Sequence, residues 1–237
     1  ELMNPKLRSL LKQALQEDIG SGDITTRALI PRNLKGEAVI VAKEAGILSG
    51  IKLAGEVFRI HDPSLQIRLH KKTGSRIKKA EKILTIKGRV ASILEAERTA
   101  LNFLGHLSGI ATLTRQYVDK IRGTKAKIYD TRKTIPLWRE LEKYAVQCGG
   151  GANHRFGLFD EVLVKDNHWQ AMRKLLEKTH CRYFGDQLKS KMGRKKVPIE
   201  VEVASLKELR HLLEADVRLD RILLDNFSVR ELKLAVS

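Results

Sequence analysis

The sequence contains little of what marks several protein classes. Aromatic residues fill only 5% of its 237 positions, and no stretch interleaves them with basic residues as a platform for stacking bases would. The two cysteines, Cys148 and Cys181, fit neither a disulfide framework nor a zinc-ligand spacing, which favours a reducing compartment. No apolar run approaches the ~18 residues of a membrane span, and no secretory leader opens the chain. We therefore expect a cytoplasmic protein without a membrane partner.

Acidic residues are also scarce relative to basic ones. The 45 lysines and arginines outnumber the 28 aspartates and glutamates, which leaves a formal net charge of +17. Nucleic acid, a membrane surface or polyanionic small molecules would each match this charge. The shortage of aromatic residues makes nucleic acid the weaker partner. No GxxxxGKS/T, HExxH or nucleophile-elbow motif occurs, so phosphate-loop and hydrolase mechanisms are disfavoured.

Residues 1–120 are predicted to form a mixed sheet-and-helix domain. Apolar residues at helical spacing predict a helix over residues 5–17, and short runs bounded by Gly, Pro or Asp predict strands. These strands lie within residues 36–50, 65–70 and 83–88. Residues 91–121 are predicted to be one long helix or two abutting ones, with Gly105 and Gly109 as close-packing points or a kink.

Residues 121–237 change to an alternation of strands and helices. Four strand patterns are each followed by a helix pattern, and two of these helices start with an S-x-x-E capping box, at Ser205 and Ser228. The predicted strands cover residues 126–130, 160–166, 198–203 and 221–225, and the predicted helices cover residues 136–147, 168–178, 206–213 and those from 229 onward. Such alternation predicts βα units with parallel strands, in a barrel or an open wound sheet.

Charged residues stand at the end of each of these four strands. In parallel α/β architectures, ligands bind at the carboxyl ends of the strands. The strand-end groups are Asp130, Arg132 and Lys133, then Lys165, then Glu200 and Glu202, and finally Asp225 and Asn226. Their recurrence predicts a site for a charged ligand at that edge of the sheet.

The kinds of charge indicate what this site binds. Lys165 stands in an otherwise apolar strand, where an unpaired ammonium would be costly, so we expect an anion to meet it. Glu200 and Glu202 share one face of a strand, and Glu202 and Asp225 can hold Mg²⁺, sugar hydroxyls or a developing cation. Three glycines, Gly149–Gly151, permit a close approach of backbone amides to a ligand. A substrate with several negative charges is indicated by five cationic groups: Arg132, Lys133, His154, Arg155 and Lys165.

Several long motifs resemble those of the quinolinate phosphoribosyltransferases, also called carboxylating nicotinate-nucleotide pyrophosphorylases. In family order, they are EDIGSGDITT from Glu17, ERTALNFLGHLSGIATLT from Glu97, DTRKTIPLWRELEKYAVQCGGGANHR from Asp130, DEVLVKDNH from Asp160, IEVEV from Ile199 and ILLDNFS from Ile222. The resemblance implies an α/β fold, with an α+β sandwich domain at residues 1–120. Residues 121–237 would then form an incomplete α/β barrel of fewer than eight parallel strands.

The resemblance also implies a reaction and its participants. Quinolinate and phosphoribosyl pyrophosphate, with Mg²⁺, would give nicotinate mononucleotide, pyrophosphate and carbon dioxide in NAD biosynthesis. Catalytic roles are expected of Lys133, Lys165, Glu202 and Asp225, of which the two acids face the ribose and its metal. No residue is assigned as a direct metal ligand. The groups expected around the two carboxylates of quinolinate are Arg132, His154, Arg155 and Lys165, with Lys133 nearby. Arg98 is expected to reach into the site of a neighbouring subunit, in a homodimer or a hexamer.

Two departures from the family pattern leave alternatives open. Family members continue past ILLDNFS with two glycine-containing loops for phosphate and pyrophosphate, whereas this sequence ends at Ser237. A catalytically silent or truncated relative, which binds quinolinate-like acids without turnover, is therefore one alternative. A phosphoribosyltransferase associated with molybdenum transport shares much of the pattern and is another. The second departure is the basic segment His180–Pro198, which is expected to be a solvated loop or a contact for a partner or nucleic acid.

Overall fold

The computed structural model describes residues 3–171, 197–214 and 219–237. Contacts divide the chain into two compact units, one up to His154 and one from Arg155 onward, while the boundary at residues 120 and 121 remains a prediction. Residues 180–196 of the basic segment His180–Pro198 lie outside the described residues. So do Cys181 and residues 172–178 of the predicted helix 168–178. Within the described ranges, no helix has the length and apolar character that crossing a bilayer requires.

The first unit combines antiparallel sheets with helices. Its helices are α1 (Pro5–Ile19), α2 (Ile24–Leu29), α3 (Ile51–His61), α4 (Val90–Lys120) and α5 (Arg139–Cys148). Its strands are β1 (Lys35–Val41), β2 (Gly46–Ile47), β3 (Gln66–Leu69), β4 (Arg76–Ile77) and β5 (Lys82–Arg89). A three-stranded sheet has the order β1-β5-β3, and β2 pairs with β4. The strands predicted in this half of the chain are confirmed.

Local sequence explains where the first helix begins. Asn4 caps α1 by accepting the Leu7 amide, and Pro5 occupies the first turn, where its missing N–H leaves no hydrogen bond unmade. Leu7, Leu11 and Leu15 recur every four residues, so they lie on one face and are buried. The predicted first helix is confirmed.

One continuous helix of 31 residues, α4, runs through the first unit. Phe103 and Leu107 of α4 share a fully buried core with Phe58 of α3. A Cβ atom at Gly105 or Gly109 would meet no described atom within 4 Å, because both glycines border an open groove beside β2. Among the described residues, the predicted close packing at these glycines is therefore wrong.

Two helices of the first unit have no counterpart in the sequence predictions. The short helix α2 follows the break after α1, and Asp23 caps it by accepting hydrogen bonds from the amide and the hydroxyl of Thr26. In α3, six of the 11 residues are buried. The polar residues Lys52, Glu56 and Arg59 recur at helical spacing, a signal from which α3 could have been predicted.

The second unit is a parallel βα structure. Its sheet has the order β6 (Val162–Val164), β7 (Ile199–Val203) and β8 (Arg221–Leu224), with helices α6 (Leu206–Glu214) and α7 (Val229–Val236) after β7 and β8. Both strand pairs are parallel, as predicted. Residues 126–130 belong to the first unit instead, where Tyr129 forms only an isolated parallel bridge with Ala152. Closure of the sheet into a barrel stays a prediction.

The two predicted capping boxes differ. At α7 the box is complete, since Ser228 Oγ accepts the Glu231 amide and the Glu231 carboxylate accepts the Ser228 amide. At α6 only half of the box forms. Ser205 Oγ accepts the Glu208 amide at 3.2 Å, but the Glu208 carboxylate accepts the Ala204 amide in place of the Ser205 amide.

Candidate active site

The carboxyl edge of the parallel sheet brings three of the predicted site residues together. Lys165 directly follows β6, Glu202 lies near the end of β7, and Asp225 directly follows β8. The Asp225 amide donates to the Val203 carbonyl at 2.9 Å, which extends the ladder to this edge. Neighbouring parallel strands end on the same side, so the three side chains stand at one edge of the sheet.

Lys165 forms an ion pair with Glu202 at this edge. Its Nζ lies 2.7 Å from Glu202 Oε2, and the two side chains are 42% and 10% exposed. The expectation of a lysine inside an apolar strand is wrong, because β6 ends at Val164 and the chain turns directly into helical residues 166–171. The Lys165 amide already donates to His168 Nδ1 at 2.9 Å in that turn. The expected anion is present, and it is a carboxylate of the chain itself.

Glu202 and Asp225 line a cleft of about 560 Å³ in the second unit. Asp166, Trp169 and His211 are among the other residues that line it. The Asn226 side-chain amide donates to Asp225 Oδ2 at 2.9 Å, which orients that carboxylate. Carboxylate oxygens are hard ligands, and Mg²⁺ is commonly bound by one or two of them together with substrate phosphates. The donor set of the cleft therefore fits the ion that the resemblance implies.

Glu200 belongs to a different ion-pair network. It is 5% exposed, and Arg221 Nε lies 3.5 Å from its Oε2, while the same guanidinium also binds the Glu161 carboxylate. The predicted alternation along β7 is confirmed on the opposite face, where Val201 and Val203 enter the core. Arg221 was not a candidate in the sequence, because nothing in its local pattern distinguishes it from a surface arginine.

Arg155 is buried in the second unit. It is 8% exposed, and its Nη1 donates to the Glu161 carbonyl at 3.4 Å. Part of its guanidinium therefore binds the backbone of its own loop. Its expected contact with a substrate carboxylate stays a prediction.

In the first unit, Arg132 and Lys133 lie on the loop that precedes α5. The Ile135 amide of this loop donates to Glu142 Oε2 at 3.3 Å. The other carboxylate oxygen of Glu142 lies 2.8 Å from His106 Nε2, so a contact between α4 and α5 also holds the loop. Neither His106 nor Glu142 was a candidate in the sequence, since their pairing joins positions 36 residues apart.

Three of the predicted cationic residues have no acidic partner within the described ranges: Arg98, Arg132 and Lys133. Arg98 is exposed on α4, and Lys133 is exposed on its loop. The Nε of Arg132 is buried and finds no hydrogen-bond acceptor among the described residues. These charges remain uncompensated by the described part of the chain, as cations that bind an anionic ligand would be.

A buried ion pair binds the backbone of His154. Asp130 Oδ1 accepts the His154 amide at 2.9 Å, and Lys143 Nζ donates to the His154 carbonyl at 3.1 Å. Lys143 Nζ also lies 2.5 Å from Asp130 Oδ1, and the two side chains are only 3% and 6% exposed. The sequence did not single out Lys143, because lysines on amphipathic helices are mostly exposed.

Close packing against α4 and α5, together with one positive φ angle, explains the three consecutive glycines. A Cβ atom at Gly149 would lie 2.5 Å from the Ala111 carbonyl oxygen, and one at Gly151 would lie 2.7 Å from Val146 Cγ1. Gly150 has a φ angle of 92°, which residues with a side chain rarely adopt. The predicted approach of their amides to a ligand is wrong, because these three amides donate to the carbonyls of Ala145, Gln147 and Val146.

Two family models together cover nearly the whole chain. The model described as quinolinate phosphoribosyl transferase, C-terminal domain, matches residues 110–237, and the corresponding N-terminal domain matches residues 23–108. The chain belongs to this family. The resemblance expected from the sequence motifs is confirmed.

Individual members of the family are similar over most of this chain. It is 41% identical over 235 residues to the carboxylating nicotinate-nucleotide pyrophosphorylase of Mycobacterium leprae, which covers 97% of this chain and 78% of the relative. It is 42% identical over 221 residues to the probable carboxylating nicotinate-nucleotide pyrophosphorylase of Bacillus subtilis, with coverages of 93% and 73%. A solved structure, the nicotinate-nucleotide pyrophosphorylase from Francisella tularensis, matches with a TM-score of 0.89 at 38% identity, over 100% of this chain and 80% of that chain. The α/β fold class is confirmed.

Proposed function

We propose that this chain transfers a phosphoribosyl group from phosphoribosyl pyrophosphate to quinolinate and releases carbon dioxide, which gives nicotinate mononucleotide for NAD biosynthesis. The observation that carries the proposal is the Lys165–Glu202 ion pair, which stands with Asp225 at the ends of three adjoining strands. The chain that carries these residues belongs to the quinolinate phosphoribosyltransferase family. This edge combines an ammonium suited to an anionic acceptor with two carboxylates suited to a ribose and a metal ion.

Recognition of quinolinate is assigned to the cationic residues. Quinolinate carries two carboxylates, and a guanidinium can bind each carboxylate through two parallel hydrogen bonds. The assignment is supported for Arg132 and Lys133 by their lack of acidic partners in the described ranges. For His154, Arg155 and Lys165 it rests on the motifs in which they stand.

The transfer depends on positioning and electrostatic stabilisation, without a covalent intermediate. The bond between ribose C1 and the pyrophosphate oxygen breaks, and its electron pair leaves with pyrophosphate. The ring nitrogen of quinolinate donates its lone pair to the same carbon. Between these events the ribose carries positive charge, which the carboxylates of Glu202 and Asp225 stabilise.

Decarboxylation follows from the new bond to nitrogen. The quaternised ring nitrogen withdraws electrons from the neighbouring carbon. The carboxylate on that carbon leaves as carbon dioxide, and its bonding electrons remain on the ring. A proton from solvent completes nicotinate mononucleotide. The protein's part in this step is to hold the ring in place through the cations that bind its carboxylates.

Mg²⁺ is part of the proposal, with Glu202 and Asp225 as the residues of the cleft assigned to hold it. When bound, the ion would neutralise charge on the phosphates and on the leaving pyrophosphate. An assembly in which Arg98 completes the site of a neighbouring subunit, as a homodimer or a hexamer, is also proposed. It is supported by the exposure of Arg98 and by its lack of an acidic partner in the described ranges. Barrel closure and a cytoplasmic location complete the proposal.

The test uses the purified 237-residue chain with quinolinate, phosphoribosyl pyrophosphate and Mg²⁺. Nicotinate mononucleotide formation would be followed, and quinolinate binding would be measured by calorimetry on the same sample. Turnover whose kcat/KM falls by about tenfold or more in Lys165→Met supports the proposal. Binding without turnover would identify a catalytically silent or truncated relative. Activity only with another pyridine or pyrimidine acid would indicate the relative associated with molybdenum transport, and either result contradicts the proposal.

A further inference from the structure

We propose that Asp130 and Lys143 are positioning residues for His154. This inference rests on the proposed function, in which His154 binds a carboxylate of the acceptor. The pair binds both polar groups of the His154 backbone, since Asp130 Oδ1 accepts its amide at 2.9 Å and Lys143 Nζ donates to its carbonyl at 3.1 Å. Neither Asp130 nor Lys143 is assigned a contact with substrate.

The two residues before His154 are tied to the same network. The side-chain amide of Asn153 is oriented so that its nitrogen faces acceptors. This nitrogen donates to Asp130 Oδ2 at 2.8 Å and to the Lys143 carbonyl at 3.0 Å. The Ala152 carbonyl accepts the Asp130 amide at 3.1 Å. Three consecutive residues are thus bound to one aspartate and to the helix that carries Lys143. The course of the backbone into His154 is set by these contacts.

Stability alone does not account for this arrangement. The side chains of Lys143 and Asp130 are 3% and 6% exposed, and the desolvation of two such charges offsets most of their attraction. Two apolar side chains of similar volume are often as stable as a buried ion pair. An apolar pair, however, could bind neither the amide nor the carbonyl of His154. The directional bonds are what the charged pair adds.

The ion pair continues a run of backbone restraints that begins at the glycines. The amides of Gly149, Gly150 and Gly151 donate to the Ala145, Gln147 and Val146 carbonyls, which ties them to α5. The ion pair fixes the chain directly after these glycines. Without it, the backbone of His154 would be less restrained, and acceptor binding would have to restore its position.

The experiment compares Lys143→Met, Asp130→Asn and the double variant with the unsubstituted chain. Initial rates would be measured with each substrate varied in turn. We expect the KM for quinolinate to rise by about tenfold or more, because a displaced acceptor-binding group loses its orientation, while the KM for phosphoribosyl pyrophosphate changes by less than about twofold. In a His154→Ala background, Lys143→Met should raise the KM for quinolinate by less than about twofold, since a positioning residue acts through the group it positions.

Asp62→Asn is the matched control. Asp62 is also a buried carboxylate of the first unit, 4% exposed, but its hydrogen-bond partners are Ser64, Arg89 and Ser92. The substitution should lower Tm and leave both KM values unchanged. It therefore separates a general loss of stability from a loss of orientation at His154.

Two results of these measurements would count against the positioning role of Asp130 and Lys143. An unchanged KM for quinolinate in the folded variants, or an effect of Lys143→Met that persists undiminished in the His154→Ala background, overturns the inference. If Lys143→Met does not fold, the double variant replaces it in the comparison. The double variant removes both charges, so no buried charge is left unpaired. If the unsubstituted chain shows no turnover, the proposed function fails. Quinolinate affinities of the same variants, measured by calorimetry, then decide the inference separately.

Discussion

Lys165→Met should separate the stability of the second unit from its proposed activity. The Lys165 side chain is 42% exposed, so water screens its ion pair with Glu202. Its partner Glu202 is only 10% exposed, and removing the lysine leaves that carboxylate unpaired, so we expect a cost of about 1–2 kcal/mol in the free energy of unfolding. Such a loss lowers Tm by about 2–8 °C in a chain of this length. Methionine keeps most of the methylene stem, so we expect little further change from packing.

The effect on activity should be much larger. The Lys165 ammonium is expected to make at least one charge-assisted hydrogen bond to a substrate carboxylate, which is worth about 1.5–3 kcal/mol. Losing that free energy in the transition state lowers kcat/KM by about 10- to 150-fold. Lys87→Met is a control for the loss of a lysine charge, because Lys87 forms an ion pair of the same length, 2.7 Å, with Glu37 in the first unit, where the two side chains are 58% and 48% exposed. The control should change neither kcat/KM nor Tm appreciably.

The assays compare the unsubstituted chain, Lys165→Met and Lys87→Met. They are initial rates of nicotinate mononucleotide formation for kcat/KM and differential scanning calorimetry for Tm. A kcat/KM of Lys165→Met within about twofold of the unsubstituted chain would refute the assignment of this lysine to the acceptor. A Tm loss above about 10 °C would refute the stability argument, since the lysine would then be a structural group. Loss of activity in Lys87→Met would show that the assay responds to charge in general.

Three further substitutions test the packing of the fold. Asp62→Asn should cost about 2 kcal/mol at neutral pH, because the carboxylate accepts hydrogen bonds from two serine hydroxyls and a guanidinium. Burial alone would raise the pKa of Asp62, but these hydrogen bonds together hold it well below its usual value. The stabilisation is therefore present above about pH 4 and is lost as pH falls further, as urea midpoints across pH would show. Gly149→Ala should cost about 1–3 kcal/mol in urea unfolding, since its Cβ would lie 2.5 Å from the Ala111 carbonyl oxygen. Ser228→Ala should lower the free energy of unfolding by about 1 kcal/mol, read from Tm, because it removes a complete capping box.

Each of these predictions has a contrary outcome. A difference between Asp62→Asn and the unsubstituted chain that stays constant from neutral pH to about pH 3 would contradict the lowered pKa. A fully stable Gly149→Ala would contradict the close contact between the glycine loop and α4. An unchanged Tm for Ser228→Ala would mean that α7 does not take part in the cooperative unfolding of the second unit.

Local patterns were sufficient for the elements that carry the cleft. Strand and helix patterns of the second half predicted parallel strands, and the charges at their ends predicted that Lys165, Glu202 and Asp225 meet at one edge of the sheet. This succeeded because parallel strands end on the same side, so a position in each strand is enough to place the side chain. Local patterns also predicted two helices that the structure confirms: α1, from its leucine spacing and its proline, and α7, from its capping box.

Burial and pairing were decided only by the tertiary structure. Lys143 looks like a surface lysine in α5, yet it is buried against Asp130, 13 positions away, and both bind the backbone of His154. The partner of Lys165 is Glu202, 37 positions away, and no local pattern names it. The sequence by itself determined the family, the order of the elements and which charges end each strand, because these depend on residues close in the chain. Which of those charges are buried, paired or left for a ligand depends on neighbours that only folding brings into contact.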